Sequence, residues 1–200
     1  MASKSPRGLP DDVPLPSEFA HRAREGDETW LEDAIAAILG VYVTDAQREI
    51  CRSVAANKRT AVSTANGLGK TYIVAAIANV WLTVLYPAVV FGTSGTGKKL
   101  YRTLCRPVEK LHDGAYGGRG LPGTYKEQPP RIDFDDPEHF FEASSPADAG
   151  ELEGVHGEYV LAIIEECDKK DVDADTIDAM RSLVSDEKDR IIAVGNPPKD

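Results

Sequence analysis

Apolar positions recur along this chain with two different periods, and the alternation between them outlines a fold. From Asp27 to Leu39 the residues Trp30, Leu31, Ala34, Ile35 and Ile38 fall at helical spacing, and Gly40 supplies a stop. Thr44 and Gln47 form a T-x-x-Q capping box ahead of Ile50 and Val54, which predicts a second helix from Thr44 to near Asn57. The pattern then alternates: a strand at Thr60 to Ser63, a helix from Lys70 to Leu85, a strand at Ala88 to Phe91 and a helix from Gly97 to His112. Residues 113 to 130 are dense in Gly and Pro and read as an exposed loop, followed by short strands at Arg131 to Phe134 and Phe140 to Ser144. Tyr159 to Ile164 is a continuous apolar run, Val172 to Val184 is amphipathic, and Arg190 to Val194 is apolar again. Unbroken apolar strands interleaved with helices belong to a mostly parallel sheet covered on both faces. Residues 1 to 26 are rich in Pro, Asp and Ser without periodicity, so they read as a flexible lead segment, with one folded domain over 27 to 200.

Composition changes this picture at three points. The uncharged stretch from Tyr72 to Phe91 is long enough to span a membrane, but Pro87 would break such a helix, so helix followed by buried strand is the reading. The 33 acidic against 23 basic side chains give a net charge of -10, the wrong sign for a protein that coats nucleic acid, so any DNA contact must be local. An acidic surface of this kind also suits a high-salt habitat. Cys51, Cys105 and Cys167 lie far apart with no CxxC pair, which points away from a disulfide framework or zinc site and toward a reducing cytoplasm. The N-terminus lacks the apolar run of a signal peptide.

Two glycine-rich segments follow strands and open helices, 64-TANGLGKT-71 and 92-GTSGTGKK-99. A loop of the form G-x-x-x-x-G-K-[ST] wraps phosphates in backbone amides, sends its lysine to the terminal phosphates and ligates magnesium through its hydroxyl. The first segment has Thr64 in place of a glycine but keeps Gly69, Lys70 and Thr71; the second puts Lys99 where the metal ligand belongs. An ammonium cannot ligate a cation, whereas a missing glycine is tolerable, so Thr64, Ala65, Asn66, Gly67, Leu68, Gly69, Lys70 and Thr71 are the candidate loop. The bland reading is a glycine-rich turn capping a helix.

Downstream, 160-VLAIIEECD-168 is an apolar strand ending in paired acids, the form of a Walker B motif. Glu165 is the candidate magnesium holder and Glu166 the candidate water-activating group, because phosphoryl transfer depends on positioning and charge stabilisation. The bland reading is that two acids solvate a strand end. A phosphate loop after one strand and an acid pair after a later one would share the carboxyl edge of one sheet, where open α/β folds bind ligands.

With these residues in view, the order of segments from Thr44 to Pro197 resembles the ATPase domain of viral, phage-type DNA-packaging terminase large subunits. The resemblance implies an α/β P-loop NTPase of the RecA-like (ASCE) branch, a three-layer sandwich around a mostly parallel sheet, hydrolysing ATP with Mg2+ to drive double-stranded DNA into a capsid. It implies partners too: the portal protein, the small terminase subunit and further copies of the chain in a ring, all in the host cytoplasm with no membrane. In that family a glutamine ahead of the first strand reads adenine; Gln47 stands there, and the capping box explains it equally well. The segment 89-VVFGTSGTGKKLYRTL-104 is similar to the strand, threonine-containing turn and helix after the phosphate loop, so that Thr93 and Ser94 either touch DNA or cap the helix. The strand end 195-GNP-197 is similar to the coupling motif, giving Asn196 the role of γ-phosphate sensor.

Two departures stand out. No arginine finger is evident, since 152-LEG-154 places Glu153 where related motors put arginine, leaving Arg102, Arg106, Arg119 and Arg131 as candidates. The chain also stops at Asp200 with no room for the nuclease domain that terminases carry, as expected of a fragment. A helicase-like translocase, or a nucleotide-binding assembly module with little turnover, remain the alternatives.

Overall fold

The computed structural model describes residues 16–64, 69–145 and 157–197. Its elements run α1 (Pro16–Arg24), α2 (Trp30–Leu39), α3 (Asp45–Ala56), β1 (Arg59–Ser63), α4 (Lys70–Val84), β2 (Ala88–Ser94) and α5 (Gly97–Leu100). A π-helical turn (Tyr101–Cys105) leads into α6 (Arg106–Gly118), then β3 (Thr124–Glu127), β4 (Pro130–Asp133), β5 (Phe140–Ala143), β6 (Tyr159–Glu165), α7 (Ala174–Ser182) and β7 (Arg190–Gly195). All seven strands join one sheet in the order β1-β7-β6-β2-β5-β4-β3. β1, β7, β6, β2 and β5 are mutually parallel, and β4 and β3 extend the sheet antiparallel. The fold class read from the alternating pattern is therefore the one observed, and β2 and β6, buried at every position, explain why their sequences show no alternation.

The helices α2, α3, α4 and α6 share one face of the sheet with Val90, Leu161, Ile163 and Ile192, and the other face packs Phe91, Val160, Ala162 and Ile164 against Met180 and Leu183 around α7. α4 is buried on nearly every side beyond its first turn, which accounts for the lack of charge after Lys70, and it ends at Val84 ahead of Pro87. No helix among the described residues is long and apolar enough to cross a membrane.

Two expectations fail here. Of the lead segment, residues 1–15 lie outside the described residues, but from Pro16 it is helical, with Phe19 and Ala20 buried, and Arg22 ties this helix forward to Asp27 at 2.6 Å and Asp33 at 2.7 Å. Only Phe19 and Ala20 are buried, with Ala23 half-buried beside them, too few apolar positions among charges to show a period. The segment expected as loop after His112 does leave helical geometry at Ala115, Tyr116 and Gly117, but it is not loop throughout, because Thr124–Glu127 within it forms β3. β3 is an edge strand whose only half-buried residue is Tyr125, so it carries no alternating signature.

Candidate functional site

Strand register builds the site. In the parallel ladders Ser63 pairs with Gly195 at the ends of β1 and β7, and Ser94 pairs with Glu165 at the ends of β2 and β6. Side chains alternate across a sheet, so Glu165 lies on the same side as Leu161 and Ile163, the side covered by α4. That is the side on which Lys70 and Thr71 open α4. The result is a cleft of about 200 Å³ lined by Lys70, Thr71, Thr103, Glu165, Glu166, Val194, Gly195 and Asn196. Lys70, Thr71, Glu165, Glu166 and Asn196, all singled out from the sequence, thus converge. Ala65, Asn66, Gly67 and Leu68 lie outside the described residues.

Lys70 spans the gap between two strand ends. Its Nζ donates to the carbonyl of Thr64, to the Gly195 carbonyl at 3.1 Å and to Asn196 Oδ1 at 3.1 Å. Gly69 adopts φ 72°, a conformation that favours glycine, and a Cβ there would stand 2.7 Å from the side-chain end Gln47 Nε2 and displace it. Gln47 closes the capping box, its Oε1 accepting from the Thr44 amide at 3.1 Å, while its amide end abuts the phosphate-loop motif. Both readings of Gln47 are thus compatible with its place.

Glu165 is 2% exposed, and burial, reinforced by the neighbouring Glu166 and opposed by Lys70, pushes its carboxyl up to about 8. Its Oε1 has no hydrogen-bond partner among the described residues, and neither does the buried hydroxyl of its register neighbour Ser94. Glu166 follows the strand at φ 55°, a left-handed conformation that a glutamate rarely adopts and that turns its side chain into the cleft. The turn beyond is bound to the end of β7: Cys167 N donates to Val194 O at 2.9 Å and Asn196 N to Asp168 Oδ1 at 3.1 Å.

The second glycine-rich segment proves to be part of the same neighbourhood. Gly92 and Gly95 are there for packing, since a Cβ at 92 would collide with Leu104 Cδ2 and one at 95 would stand 2.7 Å from Asp171 Cβ. Neither Thr93 nor Ser94 caps a helix or lies open to solvent: both are buried in β2, and the Thr93 hydroxyl donates to Ser144 O at 2.9 Å. The cap of α5 is Thr96. Thr103, in the π-helical turn, reaches the cleft unannounced, because a π turn shifts the helical phase in a way that spacing does not reveal. None of the four arginines weighed as the finger lines the cleft. Arg131 pairs with Asp133 and Glu142 and lies 4.2 Å over the Phe140 ring, a structural role; Glu153 lies outside the described residues.

No protein-family model matches the chain, and no curated protein matches it in sequence. Solved structures do match in fold. The HK97 bacteriophage large terminase superposes with a TM-score of 0.63 at 19% identity, over 84% of this chain and 38% of that one. The large terminase of a thermophilic bacteriophage, in complex with ADP, gives 0.59 at 11% identity, over 78% of this chain and 39% of that one. The large terminase ATPase domain of Thermus phage P74-26 gives 0.55 at 15% identity, over 81% of this chain and 68% of that one. The chain therefore spans about two fifths of the full-length large terminases it matches. By fold, it groups with the ATPase domains of phage large terminases.

Proposed function

We propose that the chain is the ATPase motor domain of a phage-type large terminase, hydrolysing ATP to drive double-stranded DNA into a capsid. The observation that carries this reading is the convergence of Lys70, Thr71, Glu165, Glu166 and Asn196 on one cleft at the carboxyl edge of the parallel sheet. The thermophilic-phage terminase in complex with ADP supports a nucleotide in that cleft. Lys70 would exchange its Asn196 contact for the terminal phosphates, which makes Asn196 the residue that registers whether the γ-phosphate is there. Glu166, half-buried at the cleft, would orient the attacking water.

Magnesium fits the oxygen set. Thr71 and Glu165 offer hard donors, and the buried, unpartnered Glu165 Oε1 is an oxygen that a cation would satisfy. These two residues would hold the ion, which supplies charge neutralisation at the β- and γ-phosphates. Around that chemistry, the chain's own residues bind the phosphates through Lys70, orient water through Glu166 and exclude bulk solvent with Val194 and the apolar floor of β6 and β7.

By the same reading the domain acts in the host cytoplasm as one subunit of a ring, with DNA, the portal protein and the small terminase subunit as partners. Steady-state ATP hydrolysis tests the core of it. Lys70→Ala and Glu166→Gln should each lower the rate by about 10²-fold or more relative to wild type. Equal and negligible rates in all three would replace the motor with a nucleotide-binding assembly module.

A further inference from the structure

We propose that Lys99 is a positioning residue for Glu166: its ammonium fixes the carboxylate that orients the attacking water, and Asp171 in turn fixes the ammonium. The inference rests on the ATPase reading above and adds a residue to it. Lys99 is the feature that disqualifies the second glycine-rich segment as a phosphate loop, and the structure places it beside the acid pair. Its Nζ lies 3.4 Å from Glu166 Oε2 and 3.4 Å from Asp171 Oδ2.

Three local devices bring the lysine there. Gly95 leaves room for the backbone and Cβ of Asp171, which a Cβ at 95 would strike at 2.7 Å. Thr96 starts the helix by accepting from the Lys99 amide at 3.4 Å. One turn on, the Thr103 hydroxyl donates to the Lys99 carbonyl at 2.9 Å, and Thr103 itself lines the cleft, so residues 99 and 103 present one helix face to the site.

Glu166 needs such a partner. It sits at φ 55° beyond the end of β6, next to a second carboxyl, and its buried Oε2 has no hydrogen bond among the described residues. An acid so placed would rotate freely without a partner, and a general base that is misplaced by an ångström loses much of its rate contribution. The ion pair is partly shielded, with 33% and 22% of the two side chains exposed, so solvent screens it less than a surface pair. Lys99 does not line the cleft that Lys70 enters, so its role falls on the chemical step rather than on phosphate binding.

The test compares kcat and KM for ATP in wild type, Lys99→Met, Lys99→Arg and Asp171→Asn, with Lys70→Ala and Glu166→Gln as controls. Lys99→Met should lower kcat about tenfold or more with KM changed by less than about twofold, and Lys99→Arg should recover most of the loss. Asp171→Asn should lower kcat less, in the same direction. Adding Lys99→Met to Glu166→Gln should cost nothing further, because the lysine acts through that glutamate. An unchanged or raised kcat in Lys99→Met, a rise in KM alone, or full additivity with Glu166→Gln overturns the proposal while the controls still lose activity. Should the controls match wild type, the ATPase reading itself fails, and thermal unfolding of the same single and double variants then decides the contact: non-additive shifts uphold it and additive shifts end it.

Discussion

The fate of a single carboxyl at the end of β6 illustrates how much one residue can carry. Glu165 is legible as a candidate because an apolar run ending in two acids is a local pattern, and the two-residue alternation of the strand places it in one cleft with Lys70 and Thr71. Its energetic cost was not legible, since burial comes from helices far off in sequence. With an ordinary value of 4.5 and a folded value of about 8, the folded chain keeps a proton on Glu165 that the unfolded chain has released. The folded state then binds more protons across that window, so this group's contribution to stability falls as pH rises from about 5 to about 8. Glu165→Gln removes the slope: in nucleotide-free protein it should unfold a few degrees above wild type near pH 8, with the gap closing near pH 5. Parallel melting curves across that range would sink the idea. Gly69 makes a second residue-scale case, because its φ of 72° strains any residue with a Cβ and that Cβ would push aside the Gln47 amide 2.7 Å away. Gly69→Ala should cost about 1–2 kcal/mol in chemical denaturation and weaken nucleotide binding with it.

Elements were legible where they bury many apolar residues and illegible where they bury few. α2, α4, β2 and β6 follow the expected spans within a few residues, because each is written in a long apolar pattern. α1 and β3 escaped: the one leans on Phe19 and Ala20, the other on Tyr125. The placement of Lys99 and Thr103 escaped for a related reason, as it depends on a π turn and on the crossing of α5 over the 166–171 turn. The α1 finding is testable through its anchor. Phe19 is 3% exposed within the main core, so Phe19→Ala should cost about 3 kcal/mol, or about 6–12 °C in Tm for a chain of this size. A melting temperature that does not move would return residues 16–24 to the loosely attached segment their sequence suggests.

At the scale of the whole molecule the governing quantity is charge. A chain of net charge -10 would have to overcome its own field to bind a polyanionic nucleotide, and the cleft itself offers one lysine beside two acids. Lys99 answers Glu166 from outside the lining, which leaves Glu165 and the phosphates to be reconciled by a cation. Nucleotide binding and metal binding should therefore be one event. MgADP at about 100 times its dissociation constant should stabilise the fold by about 2.7 kcal/mol, a rise in Tm of about 5–11 °C. Chelating the metal at the same ADP concentration should remove most of that rise, and Glu165→Gln should show a smaller difference between the metal-replete and chelated curves than wild type does. Equal stabilisation by ADP with and without the metal would mean that Lys70 alone outweighs the acids, and that Glu165 is buried for some purpose other than holding a cation.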